Sequence, residues 1–204
     1  MKTLFIDAKS DLDVTKVLKK VKVKGKVGLV TTVQHFHKLK DAKKVIPDSI
    51  IGGQVLGCDV SAAEKIKDKV DVFIYIGTGA FHPLGIALKT GKEVIIANPL
   101  TNEISKVSKK DVEDYKKRIK GKYLKFLSAE KIGILVSTKP GQYQLEKALK
   151  LQKKLGKPSY IFLANNFSEN ELENYPDIDI FVNTACPRMD FKKVINIEDI
   201  KLKD

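Results

Sequence analysis

Short apolar runs rich in β-branched and aromatic residues recur along the chain, with longer stretches of helical periodicity between them. The runs cover residues 26–32, 72–76, 93–97, 132–136, 159–163 and 178–182. They are nearly continuous rather than alternating, which marks parallel strands covered on both faces. Ser61-Ala62-Ala63-Glu64 opens one helix, and Ser168-Glu169-Asn170-Glu171 opens another with a capping-box pattern. Residues 142–155 place Leu145, Ala148, Leu149, Leu151 and Leu155 at helical spacing, and Gly156 follows as a C-cap glycine would. Residues 111–127 form a basic helical stretch just before the strand at Ile132, and Leu4-Phe5-Ile6 reads as an edge strand. The expected fold class is α/β.

The pattern repeats. Lys26-Val27-Gly28-Leu29-Val30-Thr31-Thr32 echoes Lys131-Ile132-Gly133-Ile134-Leu135-Val136-Ser137-Thr138, with Gly28 and Gly133 spaced by 105 residues. Asp71-Val72-Phe73-Ile74-Tyr75-Ile76-Gly77-Thr78 echoes Asp177-Ile178-Asp179-Ile180-Phe181-Val182-Asn183-Thr184, at an offset of 106. Two related parallel-sheet α/β domains follow: residues 1–127, carrying Cys58, and residues 128–204, carrying Cys186. The helix at 111–127 connects them. Units of this kind bind ligands at the carboxyl ends of their strands, so the loops there become the suspects.

Composition narrows the classes. At 204 residues, 43% hydrophobic and 31% charged, the chain can bury a core and is not a disordered polymer. No apolar run approaches the roughly 20 residues of a membrane helix, and Asp7 interrupts the N-terminus too early for a signal peptide. Two distant cysteines rule out a disulfide-stapled miniprotein. A soluble cytoplasmic protein is expected, with no membrane partner. The net charge of +13 invites nucleic-acid binding, but Arg118 and Arg188 are the only arginines, so bidentate forks are nearly absent. The lysines instead line helix faces (Lys16, Lys19 and Lys20; Lys147, Lys150, Lys153 and Lys154). Nucleic acid is therefore disfavoured as a partner. A lysine-rich surface suits a thermophilic or archaeal source, or an acidic protein partner.

The unusual residues lie after the strands. Gln34, His35 and His37 follow the first. Gly52-Gly53-Gln54-Val55-Leu56-Gly57-Cys58-Asp59 follows the next apolar segment, and Gly77-Thr78-Gly79-Ala80-Phe81-His82-Pro83 the strand at Phe73. Thr138-Lys139-Pro140-Gly141-Gln142 and Asn183-Thr184-Ala185-Cys186-Pro187-Arg188 close two strands of the second unit. Lone cysteines serve as small buried hydrophobes in many proteins, and glycine pairs as turns. Gly77-Thr78-Gly79 fails the longer dinucleotide fingerprint because position 82 is His, and no clustered Cys/His pattern supports zinc. A Cys-Pro step after a strand, together with a second cysteine in a glycine-rich loop, also suits iron–sulfur ligation. The residues alone leave these readings open.

The segments Gly53-Gln54-Val55-Leu56-Gly57-Cys58-Asp59, Gly79-Ala80-Phe81-His82-Pro83-Leu84-Gly85 and Val182-Asn183-Thr184-Ala185-Cys186-Pro187-Arg188 together resemble the diphthamide-synthesis family, the 2-(3-amino-3-carboxypropyl)histidine synthases. The stretches from Gly28 to His35 and from Ile134 to Gln142 fit it as well. The resemblance implies three related α/β domains, each giving one cysteine to a 4Fe–4S cluster that also holds S-adenosylmethionine. It implies transfer of a 3-amino-3-carboxypropyl group to a histidine of elongation factor 2. On this mapping Cys58 and Cys186 are the ligands of the second and third domains, and the first domain is missing. A split enzyme completed by a partner chain or homo-oligomer, a non-catalytic paralogue acting as a binding or scaffolding protein, and a truncated piece all accommodate that departure. A start at Met1 before an edge strand suits a complete short gene product. Gly77, Thr78 and Gly79, with Ser137, Thr138, Gly141 and Gln142, offer amides and hydroxyls to S-adenosylmethionine. The same residues could equally do no more than shape turns.

Overall fold

A computed structural model describes residues 4–56 and 59–201. The chain divides into two compact units, Met1–Glu113 and Asp114–Asp204. In the first unit, chain order runs α1 (Thr15–Leu18), β1 (Val27–Thr31), α2 (Leu39–Val45), β2 (Ile50–Gln54), α3 (Ser61–Glu64), β3 (Val72–Ile76), α4 (Phe81–Thr90), β4 (Glu93–Asn98) and β5 (Glu103–Lys106). Its sheet has the order β2-β1-β3-β4-β5, parallel except for β5, which runs antiparallel on β4. Helix α5 (Lys109–Ser128) begins in this unit and continues into the second. There follow β6 (Ile132–Ser137), α6 (Leu145–Leu155), β7 (Ser159–Ala164), α7 (Glu169–Glu173), β8 (Ile180–Asn183) and β9 (Val194–Asn196). This second sheet is wholly parallel, in the order β7-β6-β8-β9.

The strands are apolar on both faces because helices cover both. Leu29, Ile74, Ile76 and Ile95 pack under α1 and α2, while Val30, Phe73, Tyr75 and Val94 face Ala63 of α3 and Ile86 of α4. In the second unit Ile134, Val136, Ile180 and Val182 meet Phe126 of α5 and Ala148 and Leu151 of α6. Leu135 and Phe181 meet Leu172 of α7 on the other face. The local signals at Gly156 and Ser168 hold as read, and Gly91, which the sequence reading did not single out, acts as Gly156 does. Gly91 and Gly156 close α4 and α6 in the left-handed region at φ 69° and 60°, where glycine carries no Cβ penalty. Ser168 and Glu171 form the reciprocal capping box. Helix α6 starts at Leu145 rather than at 142, and Leu149 faces solvent.

The repeat is real, but its register differs from the sequence alignment. Lys26 N–H donates to Asp71 Oδ2 at 2.8 Å; in the second unit Lys131 N–H donates to Asp179 Oδ2 at 2.9 Å. Gly28 lies opposite Phe73, and Gly133 opposite Phe181. Asp71 therefore corresponds to Asp179, 108 residues on, and not to Asp177. The segment Asp177-Ile178-Asp179 offers two aspartates two residues apart, and a shift of two preserves strand alternation. Pattern alone could not separate the registers; the backbone hydrogen bonds do.

Two further expectations change. Leu4, Phe5 and Ile6 form no strand among the described residues and stand 81%, 75% and 82% exposed. The antiparallel edge β5, Glu103-Ile104-Ser105-Lys106, is largely polar and gave no strand signal. Among the described residues no helix is long and apolar enough to cross a membrane.

The central strand pair has no spare volume. A Cβ on Gly28 would stand 2.7 Å from the ring of Phe73, which is itself fully buried. Gly28→Val should destabilise the first unit by about 1–3 kcal/mol, the usual cost of overpacking, read as a lower urea midpoint at unchanged slope.

Candidate functional site

Both sheets reverse their strand order at the central pair, β1/β3 and β6/β8, which makes the carboxyl edge of each pair a natural crevice. A buried threonine hydroxyl locks each pair there. Thr31 Oγ1 donates to the Ile76 carbonyl at 2.6 Å, and Thr184 Oγ1 donates to the Leu135 carbonyl at 2.8 Å. The loops that leave these strands carry nearly all the candidate residues.

Cys186 sits on the loop after β8, half-buried, as a free thiol. Its backbone is fixed on three sides. The fully buried Asn183 donates from Nδ2 to the Cys186 carbonyl and to Asn196 Oδ1, both at 2.8 Å, while its Oδ1 accepts from Ala185 N–H at 2.9 Å. Asn196 Nδ2 reaches the Pro187 carbonyl at 3.2 Å, and Met189 N–H donates to the Cys186 carbonyl at 3.0 Å. Just beyond, Asp190 accepts from Lys122 Nζ at 2.6 Å and pairs with Arg118 at 2.9 Å, tying the loop to α5. The clamp spends the backbone polar groups and leaves the sulfur uncommitted. Sequence reading saw Asn183 only as part of a loop. The available signal was a polar residue ending each of two buried strands, Asn183 and Asn196.

The loop after β6 leaves the strand adjacent to β8. Ser137 is buried, donating to the Asn165 carbonyl at 3.2 Å and accepting from Lys139 N–H at 3.2 Å. Its hydroxyl thus holds the loop. Thr138 is exposed and Gln142 half-buried; Gln142 N–H closes a turn onto the Lys139 carbonyl at 3.0 Å, with Gly141 left-handed at φ 79°. In the first unit Gly77 is buried and Thr78 and Gly79 are exposed. The chain folds over Tyr75, whose hydroxyl lies 3.5 Å from the Thr78 carbonyl and 3.5 Å from His82 Nδ1. With the corrected register Tyr75 corresponds to Asn183 and Thr78 to Cys186. The same side-chain-to-carbonyl clamp therefore recurs in both units, while the thiol occurs in one. Beside Gly79 an open cavity of about 500 Å³ is walled by Ala80, Asn98, Thr101, Glu103 and Ser105, and sequence reading missed it. Asn98 is set there by an Asx turn onto Leu100 N–H at 3.0 Å.

Cys58 lies outside the described residues. Leu56 and Asp59, which flank it and Gly57, exchange backbone hydrogen bonds at 2.8 and 3.3 Å. Cys58 follows β2, whereas Cys186 follows β8, the counterpart of β3. Both cysteines come after the carboxyl end of a parallel strand, but not at equivalent positions of the repeat. No cluster of three His, Cys, Asp or Glu side chains able to hold a metal occurs among the described residues.

His35 and His37 sit on a short 3-10 turn, Val33–Lys38, that follows β1. His37 is exposed, whereas His35 is buried with Nδ1 unpartnered. Burial first, then the nearby His37 and Lys38 charges, hold its pKa below the ordinary 6.5.

These features define a class: tandem α/β units with a clamped thiol at the carboxyl edge of a parallel sheet. Residues 1–194 match the family described as "Putative diphthamide synthesis protein". The chain is 34% identical to the 2-(3-amino-3-carboxypropyl)histidine synthase of Pyrococcus horikoshii, over 92% of this chain and 59% of that one. Identity to the synthase of the same name from Methanocaldococcus jannaschii is also 34%, over 93% of this chain and 56% of that one. The crystal structure of Dph2 from Pyrococcus horikoshii with a 4Fe-4S cluster superposes with a TM-score of 0.81 at 30% identity, covering 94% of this chain and 62% of that one. The chain belongs to the diphthamide-synthesis family, and it spans between half and two thirds of these relatives' length.

Two outcomes follow. Asn183→Ala takes the partner from Ala185 N–H and from Asn196 Oδ1 and one of two donors from the Cys186 carbonyl, and should cost about 1–3 kcal/mol in denaturant unfolding while speeding reaction of Cys186 with thiol reagents. For His35, a folded-state pKa below the unfolded value means that the unfolded chain takes the proton first. Stability is full above about pH 6.5 and falls as pH drops below it, until the folded pKa is reached. His35→Gln should flatten that part of a stability-versus-pH curve.

Proposed function

We propose that this chain is the cluster-holding and S-adenosylmethionine-binding part of a 2-(3-amino-3-carboxypropyl)histidine synthase acting on a histidine of elongation factor 2 in the cytoplasm. The observation that carries the reading is the Cys186 loop. Its backbone is pinned by Asn183 and Asn196 at the crevice of a parallel sheet, and its sulfur is left free. A thiolate held in this way suits an iron ligand, because soft sulfur donors supply most of the binding to such clusters. Cys58 is the second ligand in this reading. These residues hold two cysteines, so the third thiolate of this reading comes from outside them: from a partner chain, from another copy of this one, or from a longer chain of which they are a piece.

Bound there, a 4Fe–4S cluster supplies the reducing electron and an open iron position for S-adenosylmethionine. The chain's own residues would bind and orient that molecule. Gly79 offers a backbone amide where a side chain would strain the loop, since φ is 75°, while Gly77, at φ 153°, spends its amide on the Ala97 carbonyl at 3.0 Å and shapes the turn that presents it. Thr78 and Thr138 offer exposed hydroxyls, and Gly141 and Gln142 a turn and a side-chain amide. Ser137 takes a positioning part, because its hydroxyl already holds the loop it starts.

Anaerobic reconstitution with iron and sulfide tests the reading. Visible cluster absorbance should appear with the completing chain and be lost in both Cys58→Ser and Cys186→Ser. Gly79→Val and Gln142→Ala should weaken S-adenosylmethionine binding to the loaded protein in calorimetry. With reductant and elongation factor 2, transfer should require the completing thiolate. A chain that stays colourless alone and with every partner would instead be a binding or scaffolding member of the family.

A further inference from the structure

The cavity of about 500 Å³ beside Gly79 has a floor set by strand register. Ile96 packs on the sheet face that α3 and α4 cover, and strand alternation puts Asn98 on that same face. Across the antiparallel pair, Ser105 stands opposite Ile96 and Glu103 opposite Asn98. The chain entering α4 forms the wall, with Gly79 at φ 75° and Ala80 capping the helix without a side-chain hydrogen bond. A Cβ on Gly79 would meet no atom within 4 Å, so the space beside it is open.

Two groups on this floor are prepared for a ligand. Asn98 Oδ1 accepts from Leu100 N–H at 3.0 Å and from Thr101 N–H at 3.4 Å, which fixes the side chain and leaves Nδ2 as a donor. Glu103 enters no ion pair among the described residues, in a chain of net charge +13. The other carboxylate on this strand pair, Glu93, has its lysine, with Lys106 at 3.6 Å. Lys20 reaches the same hairpin, but it donates to the Asn102 carbonyl at 2.8 Å. An acceptor and a donor therefore stand directly opposite each other, at the spacing of about 4.5–5.5 Å between Cβ atoms that such cross-strand pairs have.

Opposite demands at that spacing select the ligand. A phosphate or a lone carboxylate would meet the Asn98 amide but be repelled by Glu103, and a lone amine would leave the amide unpaired. An α-amino acid satisfies both, because its ammonium nitrogen and carboxyl carbon hang from one carbon, about 2.5 Å apart. We propose that this cavity is the subsite for the α-amino-acid end of a ligand. Glu103 accepts from the ammonium, Asn98 Nδ2 donates to the carboxylate, and the Thr101 and Ser105 hydroxyls in the lining add further hydrogen bonds. Free amino acids and S-adenosylmethionine share this chemistry. The inference rests on the proposed function in taking S-adenosylmethionine as the ligand, so that the group held here is the one to be transferred.

Titration calorimetry on the full chain, with and without reconstituted cluster, tests this. The probes are S-adenosylmethionine, L-methionine and 5′-methylthioadenosine, which lacks the aminocarboxypropyl group. Glu103→Gln removes the charge at nearly unchanged size, and Asn98→Asp keeps the acceptor of the turn while replacing the donor by a carboxylate oxygen. Each should weaken S-adenosylmethionine binding by about tenfold or more, the loss of one charge-assisted hydrogen bond, and change that of 5′-methylthioadenosine by less than about twofold. An unchanged urea midpoint shows that the variants fold. Equal losses for both adenosyl probes would put the nucleoside here and overturn the inference. So would S-adenosylmethionine binding that neither variant alters, a result that leaves the proposed function standing. If L-methionine binds and responds to both variants while S-adenosylmethionine does not bind, the subsite stands and the proposed function is wrong. Binding of none of the probes overturns the subsite.

Discussion

The tight contact between the two central parallel strands is what the rest of each unit depends on. Gly28 and Gly133 leave room for the rings of Phe73 and Phe181, which cross over the neighbouring strand with almost no exposure. That contact sets the register of the pair, and the register places a threonine hydroxyl against a carbonyl at the carboxyl edge of both sheets. Because the strand order reverses at this same pair, the loops leaving it diverge to opposite faces and open a crevice. A residue at the end of either central strand is thereby held to within a hydrogen bond's tolerance. The amino edge is locked as well, by Asp71 and Asp179 accepting from the backbone of the first strand.

Much of this was legible because it is local. Apolar runs bounded by polar loops locate β1, β3, β4, β6 and β7, and the Ser168 box and Gly156 mark helix ends through short-range hydrogen bonding and a left-handed φ. What escaped is non-local or lacks a pattern. Strand β5 is Glu-Ile-Ser-Lys, and it is a strand because β4 offers it an edge, not because of its own composition. The repeat slipped by two residues because strand periodicity is itself two. The Cys186 loop could be found as a cysteine after a strand, but its clamp joins Asn183 to Asn196 across the neighbouring strand, a pairing no spacing announces.

The charge has a modest part in the architecture. Most ion pairs are exposed and contribute little. The exception in geometry is Lys122, whose side chain is 10% exposed against Asp190, so that one lysine of α5 anchors the segment just after Cys186. Lys16 of α1 and Lys150 and Lys153 of α6 stand exposed on their helix faces.

The two units share a framework and differ in what it presents. In the first, the end of the central strand clamps its loop with the Tyr75 hydroxyl and then presents Gly77, Thr78 and Gly79; in the second, the equivalent Asn183 clamps its loop and presents Cys186. If the clamp existed only to hold a metal ligand, a unit with no cysteine at that position would have no use for it. Its presence in both units argues that the clamp belongs to the α/β unit itself and that the thiol is an addition to a loop already held in place. In the first unit the position equivalent to Cys186 is Thr78, flanked by Gly77 and Gly79 at φ 153° and 75°, where a side chain would strain the loop.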